Sequence, residues 1–201
     1  IFLYKRKELL LYVSLITCRN LSGIHQLGLP DALLGSAWPS MYPVFHVPVS
    51  YAGIISMIIA AGTLYLAAND RLTKKLGTGK ITAISVATTA VALIGFSVSH
   101  SFIALCLWAV PYGLGGGSVD AALNNYVALH YESRHMSWLH CMWGVGASIG
   151  PYIMGYALSN KQGWFMGYRY ISIFQICTYC YFNHKSSSLE AISEQRKHRT
   201  T

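Results

Sequence analysis

The amino-acid sequence predicts an all-α, polytopic membrane protein built from six transmembrane helices. Three observations carry this expectation. Hydrophobic residues make up 53% of the 201 residues and charged residues only 11%, against roughly a quarter charged in soluble domains; the mean hydropathy is +0.39. The apolar residues are gathered into blocks approaching the ~20 residues a helix needs to cross a bilayer, not into the stripes of a soluble amphipathic helix. The positive residues sit in short segments between these blocks, which is the pattern of membrane topology. In a soluble chain a formal net charge of +8 would point to nucleic acid. Here the lipid bilayer is the expected partner, and nucleic acid is not.

Residues 1–8 form a basic cytoplasmic flank with Lys5, Arg6 and Lys7, residues 9–183 the six-helix bundle, and residues 184–201 a polar cytoplasmic tail. The first span, 9–42, is irregular. Arg19, Asn20, His25 and Gln26 interrupt it, and Pro30 and Asp31 follow. The second span, 51–68, is free of charge. The segment 69–80 then carries Asp70, Arg71, Lys74, Lys75 and Lys80, and the pair Gly77 and Gly79 predicts a tight turn. The third span is 81–98. The fourth begins near Phe102, and Glu132, Arg134 and His135 mark the loop beyond it. The fifth, 137–158, holds Gly144, Gly146, Gly150, Pro151 and Gly155, and the sixth covers 164–182.

The charge distribution tests this topology. With the N-terminus inside, the inner segments hold Lys5, Arg6, Lys7, Arg71, Lys74, Lys75, Lys80, Arg134, Lys185, Arg196, Lys197 and Arg199, twelve of the fifteen Lys and Arg residues. Outer loops hold Lys161, while Arg19 and Arg169 fall within or at the edge of spans. That asymmetry predicts a multi-pass protein of the plasma (cell inner) membrane with both termini in the cytoplasm. Each span must be helical, because backbone groups facing lipid have no water to bond.

The fourth span holds one acid, Asp120, near its middle. A carboxylate in hydrocarbon costs at least ~2.5 kcal/mol on insertion scales, so it is expected to face the bundle interior or a wet cavity. Asn124 lies four residues on and shares that face. Gly113, Gly117, Ala121 and Ala128 lie close to one helical face, where small residues let a neighbouring helix approach. Asp31 is a second acid at depth. The GLGGGS stretch (113–118) lacks the Lys-Ser/Thr of a phosphate-binding loop and lies inside a span. Cys177 and Cys180 form a CxxC with no second pair or histidine partner at zinc spacing. No catalytic centre, metal or cofactor is expected.

Four segments in order resemble the major facilitator superfamily of secondary transporters. The loop GTLYLAANDRLTKKLGTGK looks like that family's signature between its second and third spans, with Gly62, Asp70, Arg71, Gly77 and Lys80 at or near the expected places. GLPDALLGSAWP (28–39), GLGGGSVDAALNNY (113–126) and SWLHCMWGVGASIGPYIMG (137–155) resemble more narrowly the branch containing the fucose–proton symporter and bacterial sugar permeases. The resemblance implies one six-helix half of a twelve-span fold, with the solute path between halves. The other wall would come from a C-terminal half or a second copy.

It further implies that Asp31 and Asp120 serve proton coupling and solute binding, Asp120 standing where that branch carries Glu. Asn124 and Asn125 are expected to bond solute hydroxyls, and Trp38 and Trp143 to stack on a sugar ring. His140 is a candidate for the same cavity. Asp70 and Arg71, with Arg134, are expected to form a gating cluster that holds one state of a rocking bundle. Gly146, Gly150 and Pro151 partly resemble the glycine–proline motif of proton-coupled drug exporters, but Met154 replaces one glycine. The function expected is proton-coupled uptake of a sugar or other small polar solute, with solute and protons as partners. The alternatives are an exporter of amphipathic compounds and a truncated chain that moves nothing.

Overall fold

The computed structural model describes residues 28–68, 78–130 and 133–180. Among these the fold is helical, with no strand. Residues 28–31 are helical and pass through a turn at Ala32 into α1 (Leu33–Met41), which contains Pro39. The chain turns over 42–46, where His46 takes a φ of 53°. A 3₁₀ turn, Val49–Tyr51, leads into α2 (Ala52–Ala67). The indole N–H of Trp38 donates to the Val49 carbonyl at 2.7 Å and fixes this connection.

Next come α3 (Thr78–Val98), α4 (Phe102–His130) and α5 (Ser133–Ser159). The Ser101 hydroxyl accepts the Ala104 N–H at 3.2 Å, satisfying one of the free amides at the start of α4. Lys161 and Gly163 adopt φ of 56° and 84° in the turn before the last described helix, α6, over 164–180.

Among the described residues, three stretches are long and apolar enough to cross a membrane: Val49–Ala67, Ile81–Val98 and Phe102–Leu129. They coincide with the second, third and fourth expected spans. Two boundaries differ. Gly79 lies inside α3, so it does not belong to the expected turn; near a helix end, where few backbone bonds depend on it, glycine costs less than in mid-helix. α5 starts at Ser133, four residues ahead of 137, which places Arg134 and His135 on a helix and not in a loop. Pro111 and Pro151 lie within α4 and α5 without ending them. Residues 1–27, the loop residues Asp70, Arg71 and Gly77, and the tail 184–201 lie outside the described residues.

α4 is the central helix, lying along α2 on one side and α3 on the other. Lipid tails are as apolar as leucine, so helices in a bilayer associate through close packing and buried hydrogen bonds. The α2–α4 contact shows this directly. A side chain added at Gly113 would strike the Ile59 backbone, one at Gly117 the Thr63 backbone, and one at Gly62 the backbone of Gly113 and Leu114. Thr63 then donates its hydroxyl to the Gly113 carbonyl at 3.2 Å. The remaining small residues of the stripe fall elsewhere: Ala121 is half-buried and Ala128 exposed.

The opening helical turn crosses α5 in the same manner, with Gly28 against Trp143 and Gly150 against Leu29. α6 closes on α3. Ser172, fully buried, donates to the Ala90 carbonyl at 2.9 Å, and the Tyr168 ring stacks on Phe96 at 5.5 Å. One core gathers Leu33, Ala37, Met41, Leu93, Phe96 and Ile171 with their neighbours, and a second holds Val86, Val119, Leu123, Val127 and Leu139.

Candidate functional site

Asp31 is the organising residue of the site. Its two carboxylate oxygens each accept one hydrogen bond from a different helix: the Tyr112 hydroxyl of α4 donates to Oδ1 at 2.8 Å, and the Trp143 indole N–H of α5 donates to Oδ2 at 2.9 Å. The close approaches at Gly28 and Gly150 bring helix 28–31 near enough to α5 for the second bond. The glycines of α4 set the depth of the first. Tyr112 is buried, and its ring meets Phe96 edge-on at 6.2 Å, which fixes the direction of the hydroxyl.

Asp31 lies on the wall of a cavity of about 400 Å³. Pro30, Leu34 and Gly35 continue that wall on the first helix. Ala52, Ser56, Ile59, Ala60 and Thr63 supply the α2 side, Leu93 and Phe96 the α3 side, and Tyr112 and Tyr168 the α4 and α6 sides. Tyr112 lies ten residues, about 15 Å, along α4 from Phe102, inside a helix long and apolar enough to cross a membrane.

Asp120 lies on the same helix as Tyr112 but about 12 Å further along it, at 1.5 Å per residue. It is exposed on α4 and accepts a hydrogen bond from Asn124 Nδ2 at 3.1 Å. It does not line the cavity with Asp31. Asn124 is half-buried, and its Oδ1 is enclosed without a hydrogen-bond partner. Asn125 is exposed on α4, and His140 is exposed on α5.

Trp38 takes a different place from the cavity. It is 4% exposed within the core and donates to Val49, whereas Trp143, 43% exposed, binds Asp31. Gly62 lies in the α2–α4 contact, Arg134 is exposed near the start of α5, and Lys80 falls within α3. Gly146 and Gly150 are buried in α5 and Pro151 half-buried; Met154, beside them, is fully buried and meets Gly167 of α6. Among the described residues, no three His, Cys, Asp or Glu side chains gather closely enough to hold a metal ion.

Sequence reasoning did not single out Tyr112. The signal was present: a tyrosine in mid-span carries a hydroxyl that must find an acceptor at membrane depth. Its partner lies 81 residues away, beyond any local pattern.

A model of the Major Facilitator Superfamily matches residues 24–197. The chain is also similar to a curated protein of Sinorhizobium fredii (strain NBRC 101917 / NGR234) described as "Uncharacterized transporter y4wD", with 26% identity over 128 residues. That match covers 60% of this chain and 34% of the relative, so the matched region spans about a third of the relative's length. With an all-helical bundle, membrane-length apolar helices and a family match across most of its residues, the chain belongs to the Major Facilitator Superfamily, the multi-pass secondary transporters of membranes.

Proposed function

We propose that the protein is a proton-coupled transporter that takes up a sugar or another small polar solute by alternating access. It acts in the plasma membrane with both termini in the cytoplasm. The observation that carries this reading is the Asp31 carboxylate, held by Tyr112 and Trp143 on the wall of a roughly 400 Å³ cavity. An acid at membrane depth is costly to keep, and its usual places are a proton relay or a solute path.

The roles follow from the placement. Asp31 exchanges a proton with the cavity; when neutral it is cheaper to carry through the closed state, because a charge in low dielectric is penalised. Asp120 and Asn124 form a second polar station on α4, toward the opposite end of the same helix. The unsatisfied Asn124 Oδ1 takes a hydrogen bond from the solute or from a group on the facing half. That facing wall is a C-terminal half or a second copy, and rocking of one bundle against the other exposes the cavity to each side in turn. The loop 69–80 gates this motion through the charges of Asp70, Arg71 and Arg134, whose pairing differs between the two states. Gly150 has a packing role against Leu29, which accounts for this part of the glycine–proline motif without export.

The test uses proteoliposomes with an imposed inward proton gradient. Accumulation of a labelled solute that collapses with a protonophore is expected, and Asp120→Asn abolishes it while leaving membrane insertion intact. Accumulation indifferent to the gradient, or unchanged by Asp120→Asn, removes proton coupling through this station.

A further inference from the structure

We infer that the Asp31 cavity is built to accept hydrogen bonds, so that its solute is a hydrogen-bond donor, a polyol or a protonated amine, and not an anion. This rests on the transport reading above and deepens it.

Tyr112 donates its hydrogen to Asp31 at 2.8 Å, Thr63 donates to the Gly113 carbonyl at 3.2 Å, and Tyr168 donates to Met41 Sδ at 3.8 Å. All three residues line the cavity, and each has used its one hydrogen within the protein. A hydroxyl has one donor and two acceptor sites, so what these groups retain for a solute is acceptor capacity. When ionised, the Asp31 carboxylate is acceptor-only, and it has taken one bond on each oxygen, which leaves lone pairs on both.

Ser56 is the exception among the described wall residues, with its hydroxyl hydrogen uncommitted. No Lys, Arg or His is among the described residues lining the cavity. A carboxylate or phosphate entering it would find acceptors facing acceptors and an uncompensated like charge at Asp31. A hydroxyl or ammonium would find partners. Protonation of Asp31 adds one donor and leaves the other groups as they stand.

The experiment measures binding of a matched set to the purified chain in micelles: glucose, glucosamine and glucuronate, which share one ring and differ in one group. The readout is Trp143 fluorescence, with the change required to be lost in Trp143→Phe. Glucose or glucosamine is expected to bind at least about tenfold more tightly than glucuronate, since a like charge a few ångströms from Asp31 costs more than one factor of ten. The two binders separate the hydroxyl and ammonium sources of the donor. Asp31→Asn, which replaces an acceptor with a group that also donates, is expected to narrow the preference over glucuronate. Tyr168→Phe, which keeps the ring and removes an acceptor, weakens glucose binding without relieving the rejection of glucuronate. Equal or tighter glucuronate binding, or no binding by any of the three, overturns the inference. Proton-driven accumulation in vesicles is read separately, so an anionic solute carried with protons would overturn this inference and leave the transport reading standing.

Discussion

The α2–α4 contact predicts opposite effects for the same substitution at two glycines three residues apart on one helix. In Gly113→Ala the new methyl would lie 2.9 Å from Ile59 Cα and closer still to the Ile59 carbonyl oxygen, where ordinary contact begins at 3.4 Å. The helices must part by at least the difference, 3.4 − 2.9 = 0.5 Å. Forcing extra volume into a packed contact costs about 1–3 kcal/mol, and stretching the Thr63–Gly113 bond adds about 0.6 kcal/mol, the typical worth of an interhelical bond in a membrane. At Gly116 nothing lies within 4 Å of the added methyl, and alanine gains up to ~1 kcal/mol over glycine in helix preference.

The assay is thermal unfolding in detergent micelles, followed by circular dichroism. For a chain of this size ~1 kcal/mol moves Tm by roughly 2–4 °C, so Gly113→Ala is expected to lower Tm by roughly 3–14 °C while Gly116→Ala leaves it level or raises it slightly. Because Tyr112 adjoins Gly113, the parting of the helices also pulls its hydroxyl from Asp31, and proton-driven uptake falls with Tm. Equal Tm values for the two variants would refute the close-packing account of α4.

Further predictions concern single groups. Tyr112→Phe keeps the ring against Phe96 but removes the donor to Asp31; a hydrogen bond to a charged group is worth about 1.5–3 kcal/mol, so coupled uptake in proteoliposomes is expected to drop by tenfold or more with little change in expression. Trp38→Phe orphans the Val49 carbonyl and costs about 1–3 kcal/mol of stability; Tm falls while the ranking of solutes in a competition assay stays the same, and a changed ranking would return Trp38 to the solute path. Asp70→Asn is expected to slow exchange between the inward and outward states, measured as counterflow, without altering solute preference.

What the sequence disclosed and what it withheld divide along a physical line. The membrane helices were legible because insertion depends on local apolar length, and the blocks from Tyr51 to Ala68 and Ile81 to Val98 reappear almost residue for residue as α2 and α3. The Asp120–Asn124 bond was legible because a four-residue spacing places both on one helical face. Asp31 was found as an acid at depth, but its partners were not. They lie 81 and 112 residues away, and helix-on-helix register is fixed by contacts such as Gly28 on Trp143 that no local window contains. Trp38 illustrates the same limit from the other side. An aromatic near a span end reads alike whether it faces a cavity or a core, and only the position of the Val49 carbonyl decides it.

The central claim is that Asp31 carries the proton that drives uptake. It is tested most directly by comparing wild type and Asp31→Asn in proteoliposomes, with a trapped pH dye reading solute-driven proton entry and labelled solute reading exchange without a gradient. The account predicts that the variant loses proton entry and uphill accumulation but retains exchange, since the amide oxygen can still accept from the Trp143 indole while the NH2 donates to the Tyr112 hydroxyl oxygen. Proton entry of wild-type size in Asp31→Asn would contradict it.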